Sequence, residues 1–219
     1  DVFSTYLYKG TGASGNTIEN GIDLAGEGGL VWVKNRGASA SHGLVTNNSP
    51  NTFLASDTSG NAVGPFGYQV IESTGSGFKV NIDGGSALSS FNTNGSDYAS
   101  WTFRKQPGFF DIVTYTGNGT AGRTISHNLG SVPGMIIVKS TTSAENWFIY
   151  HRSNGETKWM ALNQNASVYT SAGPWNDTAP TDSVFTVGTE TGTNGNGQTF
   201  VAYLFAHDAQ DFGTGSDES

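Results

Sequence analysis

The sequence predicts an all-β protein made of two tandem β-sandwich units related by internal duplication. Gly, Ser, Thr and Asn fill 99 of the 219 positions, and only 13% of residues are charged, roughly half the usual share. That composition argues against a coiled coil, a helical bundle or a charged disordered tail. The hydrophobic fraction is 35%, with 13 Phe, 8 Tyr and 5 Trp, enough apolar area to build cores against chain entropy. Short apolar runs are separated by turn residues, and no stretch shows a helical period.

The repeat is the most informative feature. Tyr6, Gly10, Gly12 and Gly15 match Tyr115, Gly117, Gly119 and Gly122, with no aromatic equivalent for Tyr8; Ile18 matches Ile125. Gly29-Leu-Val-Trp-Val-Lys34 matches Gly134-Met-Ile-Ile-Val-Lys139, Phe78-Lys-Val80 matches Phe185-Thr-Val187, and Tyr98-Ala-Ser-Trp-Thr-Phe103 matches Phe200-Val-Ala-Tyr-Leu-Phe205. The spacing drifts only across Gly/Asn/Ser-rich stretches, where insertions belong on surface loops. The boundary falls near Pro107-Gly108, giving units 1–108 and 109–219.

In the second unit, strands are expected near 110–116, 123–126, 135–139, 146–151, 157–162, 183–188 and 199–206. Met135-Ile-Ile-Val138 is a continuous apolar run, as in a strand buried on both faces. Asn154-Gly155 reads as a tight hairpin, because both residues tolerate positive φ. Asn94-Gly95 and Asn194-Gly195 read as hairpins before the last strand of each unit. About seven short strands per unit is the count of a sandwich.

Charge and composition exclude several functions. Ten basic against eighteen acidic residues give a net charge of -8, leaving few cations for phosphate contacts, so no nucleic-acid partner is expected. No run approaches the length of a membrane-spanning helix, and no membrane insertion is expected. Without cysteine there are no disulfides or thiolate metal sites. A start at Asp1 instead of Met points to a processed product or a piece of something longer.

Several motifs have plain structural readings. Gly10-Thr-Gly-Ala-Ser-Gly15 fits a dinucleotide-binding pattern, but no amphipathic helix follows to present its N-terminus to phosphate. The same pattern at Gly117-Asn-Gly-Thr-Ala-Gly122 makes a wide hairpin the simpler cause of both. Five Asn-x-Ser/Thr sequons, at Asn47, Asn94, Asn118, Asn165 and Asn176, are about the number chance supplies. The histidines lie singly, so no metal is expected, and His127 and His207 read as hydrogen-bonded structural residues. The oxygen-rich loops Asn81-Ile-Asp-Gly84 and Asp57-Thr-Ser-Gly60 lack the ligand spacing of a calcium loop. No cofactor is expected. Glu145, Glu156 and Asp177 are the carboxylates a glycosidase would need, yet none has an acidic counterpart in the first unit, and the chain is read as no enzyme.

Aromatics carry the rest. Trp32, Trp101, Phe103, Tyr203 and Phe205 fall on the strongest strands and read as core. Trp175 sits in Gly173-Pro-Trp-Asn-Asp-Thr-Ala-Pro180, a loop. Its ring either folds back over the sandwich end or offers a stacking face to a pyranose whose hydroxyls bond Asn176 and Asp177. Trp147 should face away from Tyr150 and Arg152 on its strand. The candidate ligand-binding residues are therefore Trp175, Asn176, Asp177, Tyr150 and Arg152.

Gly29-Leu-Val-Trp-Val-Lys-Asn-Arg36, Ala99-Ser-Trp-Thr-Phe-Arg-Lys105, Phe109-Phe-Asp-Ile-Val-Thr-Tyr-Thr116 and Ser126-His-Asn-Leu-Gly-Ser-Val-Pro-Gly134 carry a family resemblance. So do Trp147-Phe-Ile-Tyr-His-Arg152, Trp175-Asn-Asp-Thr-Ala-Pro180 and Val201-Ala-Tyr-Leu-Phe-Ala-His-Asp208. Together they resemble a repeat in virion proteins of marine bacteriophages, many of them cyanophages. The resemblance spans nearly the whole chain and implies a tail-fibre or structural protein on a jelly-roll or concanavalin-like sandwich. It implies other virion proteins as partners, a homo-oligomer such as a trimer, and a place on the tail or capsid surface. The expected function is an appendage module binding host cell-surface glycan or protein. The alternative is a capsid decoration, head-fibre or spacer protein; a polysaccharide-degrading tailspike ranks below both.

Overall fold

The computed structural model describes residues 1–207 except 83 and 86. Asp83 of the oxygen-rich Asn81–Gly84 loop, and the 208–219 end of the second unit, therefore lie outside the described residues. The fold is all-β, built from several antiparallel sheets. The first half contributes β1 (Phe3–Lys9), β2 (Asn16–Glu19), β3 (Gly29–Asn35), β4 (Gly43–Thr46), β5 (Leu54–Ala55), β6 (Ile71–Thr74), β7 (Gly77–Val80) and β8 (Asp97–Arg104). The second contributes β9 (Phe110–Thr116), β10 (Arg123–Ser126), β11 (Pro133–Ser140), β12 (Phe148–His151), β13 (Lys158–Ala161), β14 (Tyr169–Thr170), β15 (Val184–Val187) and β16 (Thr199–Ala206). Each strand expected in the second half is present; β14 was not anticipated, since two residues carry no alternation. Three one-turn helices, α1 (Leu24–Glu27), α2 (Leu88–Phe91) and α3 (Thr191–Asn194), also escaped the sequence reading. Four residues are too few to show a period. α1 is held by the Asp23 carboxylate, which accepts from the Ala25 and Gly26 amides at 3.1 Å, a standard N-cap.

Strand pairing stays within each half. The first half forms a five-stranded sheet, β1-β8-β3-β4-β5, and a three-stranded sheet, β2-β7-β6. The second forms a six-stranded sheet, β14-β13-β12-β11-β16-β9, and a two-stranded sheet, β10-β15. In each half a cluster of buried side chains lies between the larger and smaller sheet. Val31, Val33 and Tyr98 meet Ile18, Phe78 and Val80 in one; Ile136, Val138 and Phe200 meet Ile125, Phe185 and Val187 in the other.

A third cluster joins the halves. Leu30, Leu44 and Leu54, on the outer face of the five-stranded sheet, pack against Phe110, Ile112, Ile137, Trp147, Ile149, Val201 and Tyr203 of the six-stranded sheet. The two large sheets thus lie back to back, and β11 is apolar on both faces because each face meets a core. The expectation that Trp147 and Tyr150 face opposite ways holds, and both faces of that strand are covered: Trp147 joins the layer between halves and Tyr150 the core of its own half. The connection at Pro107-Gly108 is a tight turn. Gly108 takes φ +77°, and its amide donates to Leu129 O at 2.6 Å.

The turns refine the sequence reading. Register pairs Phe148 with Ala161 and Ile149 with Met160, which centres the β12–β13 hairpin on Asn154-Gly155. Only Gly155 has positive φ, +75°, and the Asn154 and Gly155 amides both donate to His151 O. The connection is therefore a longer turn of helical character and not the tight two-residue hairpin expected. Asn194 likewise ends α3 instead of making a hairpin. The turn before β16 is Asn196-Gly197, with Gly197 at φ +75°, as Gly95 is before β8.

The glycine motifs serve packing. A Cβ on Gly10 would overlap the Thr93 carbonyl, and one on Gly117 the Gly195 carbonyl. Tyr8 and Tyr115 make parallel contacts in the two halves. Tyr8 stacks on Tyr98 at 5.0 Å and donates to Phe91 O at 2.8 Å. Tyr115 stacks on Phe200 at 5.2 Å and donates to Thr193 O at 2.6 Å.

Two buried asparagines organise these loops. Asn92 is fully buried; its Oδ1 accepts from the Thr11 amide at 3.0 Å, and its Nδ2 donates to Ala13 O and Ile82 O at 2.8 and 3.0 Å. Asn194, equally buried, accepts from the Asn118 amide at 3.0 Å and donates to Thr120 O and Gly188 O at 2.9 and 2.7 Å. Each side chain ties an exposed glycine loop to one buried carbonyl, Ile82 O or Gly188 O. Replacing Asn194 by Ala should lower the unfolding free energy by about 1–3 kcal/mol, the scale of one orphaned buried group. The exposed Asn196→Ala should stay within about 0.5 kcal/mol, and denaturant titration of the two variants checks the contrast.

Candidate functional site

The structure brings Trp175 and Tyr150 together, but inside the core. Trp175 is 2% exposed and Tyr150 5%, with ring centroids 6.0 Å apart at 75°. A ring so enclosed offers no face to a sugar, so the stacking role read for Trp175 is corrected: the loop folds back over the end of its half. Asn176 and Asp177 make that possible. Both are left-handed, at φ 55° and 45°, a conformation that Asn and Asp tolerate better than other side chains. Asn176 spends its groups on the turn, its amide donating to Ala172 O at 2.7 Å and its Nδ2 to Thr178 Oγ1 at 3.3 Å. Pro174 O accepts from the Gly188 amide and the Thr193 hydroxyl, pinning the loop to α3. Asp177 is exposed, and Arg152 lies in solvent with its guanidinium against the His207 ring. Burial pushes the Tyr150 hydroxyl above its ordinary pKa, with Glu156 adding to the effect.

His127 fills a structural place. Its Nδ1 accepts from the Leu129 amide at 3.3 Å, as Asn20 Oδ1 accepts from the Ile22 amide at 3.2 Å, and burial lowers its pKa. Among the described residues no group of three or more His, Asp or Glu is placed to hold a metal. Glu145 acts electrostatically on Lys139 and Glu156 on Tyr150, side chains on opposite faces of the six-stranded sheet.

A concavity lies elsewhere, along the seam between the halves. It encloses about 390 Å³, within the size range of small-ligand sites. Leu44, Leu54, Val201 and Tyr203 give it an apolar lining, and Ser49, Asn61 and Thr114 add polar side chains; the Thr52 and Thr141 hydroxyls donate to Ser49 O and Thr199 O, and Thr142 Oγ1 accepts from the Thr199 amide. Among the described residues no charged side chain lines it. The lip at Asn61-Ala62 is fixed to the second half by the Ala62 amide, which donates to Thr141 O at 3.0 Å. Polar groups beside an apolar lining suit a neutral, polyhydroxylated ligand with one apolar face.

Two buried donors hold the first half's 55–59 turn beside this cleft. Trp147 Nε1 donates to Ala55 O and Thr58 O, both at 3.1 Å. Lys139 Nζ donates to Ser59 O at 3.2 Å and Ser143 O at 3.4 Å. Lys139 is fully buried, and desolvation pushes its pKa down to about 8, against a smaller opposing effect of Glu145. Sequence reasoning missed this site because its walls are Thr, Ser and Asn in stretches that resemble ordinary surface loops. Their meeting depends on how the two halves dock.

The chain belongs to the DUF7483 family, a domain of unknown function, which matches residues 1–214. No curated protein and no solved structure shows significant similarity to it. Among the described residues no helix is long and apolar enough to cross a membrane.

Two predictions follow from the geometry. Trp175→Ala should cost about 3–5 kcal/mol, the range for deleting a buried aromatic, read by denaturant unfolding. Between pH 8 and Lys139's unperturbed pKa of 10.5 the unfolded chain holds a proton that the folded chain lacks, so stability from this group rises with pH there. Below pH 8 both states are protonated and the slope vanishes. The unfolding free energy of the native chain should climb relative to Lys139→Met by on the order of 2–3 kcal/mol across that window; parallel pH profiles would contradict this.

Proposed function

Since family membership assigns no activity, the reading rests on the chain itself, and we propose that it is a non-catalytic virion module of a bacteriophage tail fibre or related appendage. In this reading it is two duplicated sandwich units of the jelly-roll or concanavalin kind, 1–108 and 109–219, which assemble as a homo-oligomer beside other virion proteins. Support for the duplication comes from the recurring strand order, β1-β8-β3-β4-β5 against β9-β16-β11-β12-β13, and from the matched roles of Asn92 and Asn194. The bound partner is a neutral host-surface glycan, seated in the cleft between the halves. The observation that carries this is the uncharged cleft with its apolar lining and polar side chains. This moves the ligand site away from Trp175, Asn176, Asp177, Tyr150 and Arg152. Weak single-site affinity multiplied by several copies on one particle fits such a shallow polar site.

A purely structural role, as capsid decoration or spacer, is the second reading. It is favoured by the back-to-back apolar layer, which makes two units into one stiff body. A glycan array probed with the multimerised chain, alongside a double variant Asn61→Ala/Thr114→Ala, separates the two. Both positions are exposed, so the double variant should unfold like the native chain. Saturable binding that falls at least about tenfold in the variant, the scale of one or two lost hydrogen bonds, is the expected result. A blank for both proteins would favour the structural role, which electron microscopy would test by locating the chain on the capsid or the tail.

A further inference from the structure

We propose that β1 is a self-pairing edge, through which two copies of this chain join their five-stranded sheets into one continuous ten-stranded sheet. β1 is the edge strand of its sheet and pairs with β8 without a bulge, from Phe3 opposite Phe103 to Lys9 opposite Asp97. The flanking bonds, Arg104 amide to Val2 O and Gly10 amide to Ser96 O, fix the alternation. Residues 4, 6 and 8 bond inward to β8, and residues 3, 5 and 7 turn their amides and carbonyls outward. Edges of this kind are normally blunted by charges, prolines or bulges. Here the strand has no proline, and its one charge, Lys9, is matched by Asp97 at 2.8 Å.

The corresponding strand of the second half shows what a blunted edge looks like. On β9 the outward amide of Ile112 is taken by the Asp111 carboxylate at 2.9 Å, whose other oxygen accepts from the Asn128 amide at 2.8 Å. The outward amide of Phe110 is taken by Gln106 O; Thr116 O is taken by the Arg123 guanidinium, and this cap alone recurs on β1, where Asn16 Nδ2 donates to Lys9 O. At the place of Asp111, β1 carries Ser4. β1 also holds three of the most exposed large apolar side chains, Phe3 at 43%, Tyr6 at 39% and Leu7 at 59%. Phe3 lies 4.8 Å from Phe103, so its face continues the apolar layer that already joins the halves and leaves that layer's rim open.

The occupant is a second copy because the strand is complementary to itself. Antiparallel pairing about a two-fold axis at Tyr6 sets Tyr6 against Tyr6 of the second copy, Thr5 against its Leu7, and Phe3 against its Lys9. The outward groups of 3, 5 and 7 and the Lys9 amide face their counterparts, the Lys9 carbonyl already accepting from Asn16 Nδ2 at 3.2 Å, and each Lys9 meets an aromatic ring instead of another ammonium. The contact is isologous and closes at two copies.

Sedimentation of the full chain tests this, with Tyr6→Lys and Tyr6→Glu variants. The native chain should sediment as a dimer. Each variant alone should be monomeric, with like charges directly opposed across the axis, while retaining the native circular dichroism and unfolding midpoint. An equimolar mixture of the two should recover the dimer. A monomeric native chain, a trimer, or a dimer that survives Tyr6→Lys would each overturn the proposal; in the first case the edge belongs to a strand of some other protein.

Discussion

The structure depends on covering both faces of its two large sheets. β3 and β11 are apolar on each side, so neither sheet can leave its outer face in water. The layer of Leu30, Leu44 and Leu54 against Ile112, Ile137, Val201 and Tyr203 solves this for both halves at once. Hydrophobic burial of this kind is non-directional, and the register between halves is therefore set by a few directional bonds. Trp147 and Lys139 reach across to the 55–59 turn, Lys105 pairs with Asp111 at 3.2 Å beside the connecting turn, and the Ala62 amide meets Thr141 O.

That arrangement decides where a ligand can sit. Cores fill the space between the larger and smaller sheets and the central layer, and the cleft opens where that layer ends. There the polar loops of the two halves meet over apolar residues. The cleft is a by-product of docking, and its chemistry follows from a composition rich in Thr, Ser and Asn and poor in charge. A buried lysine beside it is a costly way to hold a turn, since desolvation opposes the ammonium. Its ammonium joins the Ser59 and Ser143 carbonyls, one from each half.

Much of the fold was legible in the sequence. The strands of the second half, the double burial of β11 and the glycine pattern follow from alternation, apolar runs and turn residues, all local properties. What depends on space was not. Trp175 has the neighbours of a sugar-binding aromatic, but only the left-handed pair Asn176-Asp177 turns it inward, and composition is the same for either direction. Asn92 has the look of one more loop asparagine and Asn194 that of a hairpin residue, because burial, not identity, gives them their role. Tyr6 and Tyr8 share a strand face, so alternation alone does not distinguish them; the ring contact with Tyr98 and the bond to Phe91 O belong to Tyr8.

Hydrogen exchange of the full chain carrying Leu44→Asp measures the central dependence most directly. A charge buried in the shared layer should lower amide protection in β11 and β12 as well as in β3 and β4, although Leu44 belongs to the first half alone. Loss of protection confined to the first half, with β11 and β12 unchanged, would show that each half stands by itself and would contradict the account.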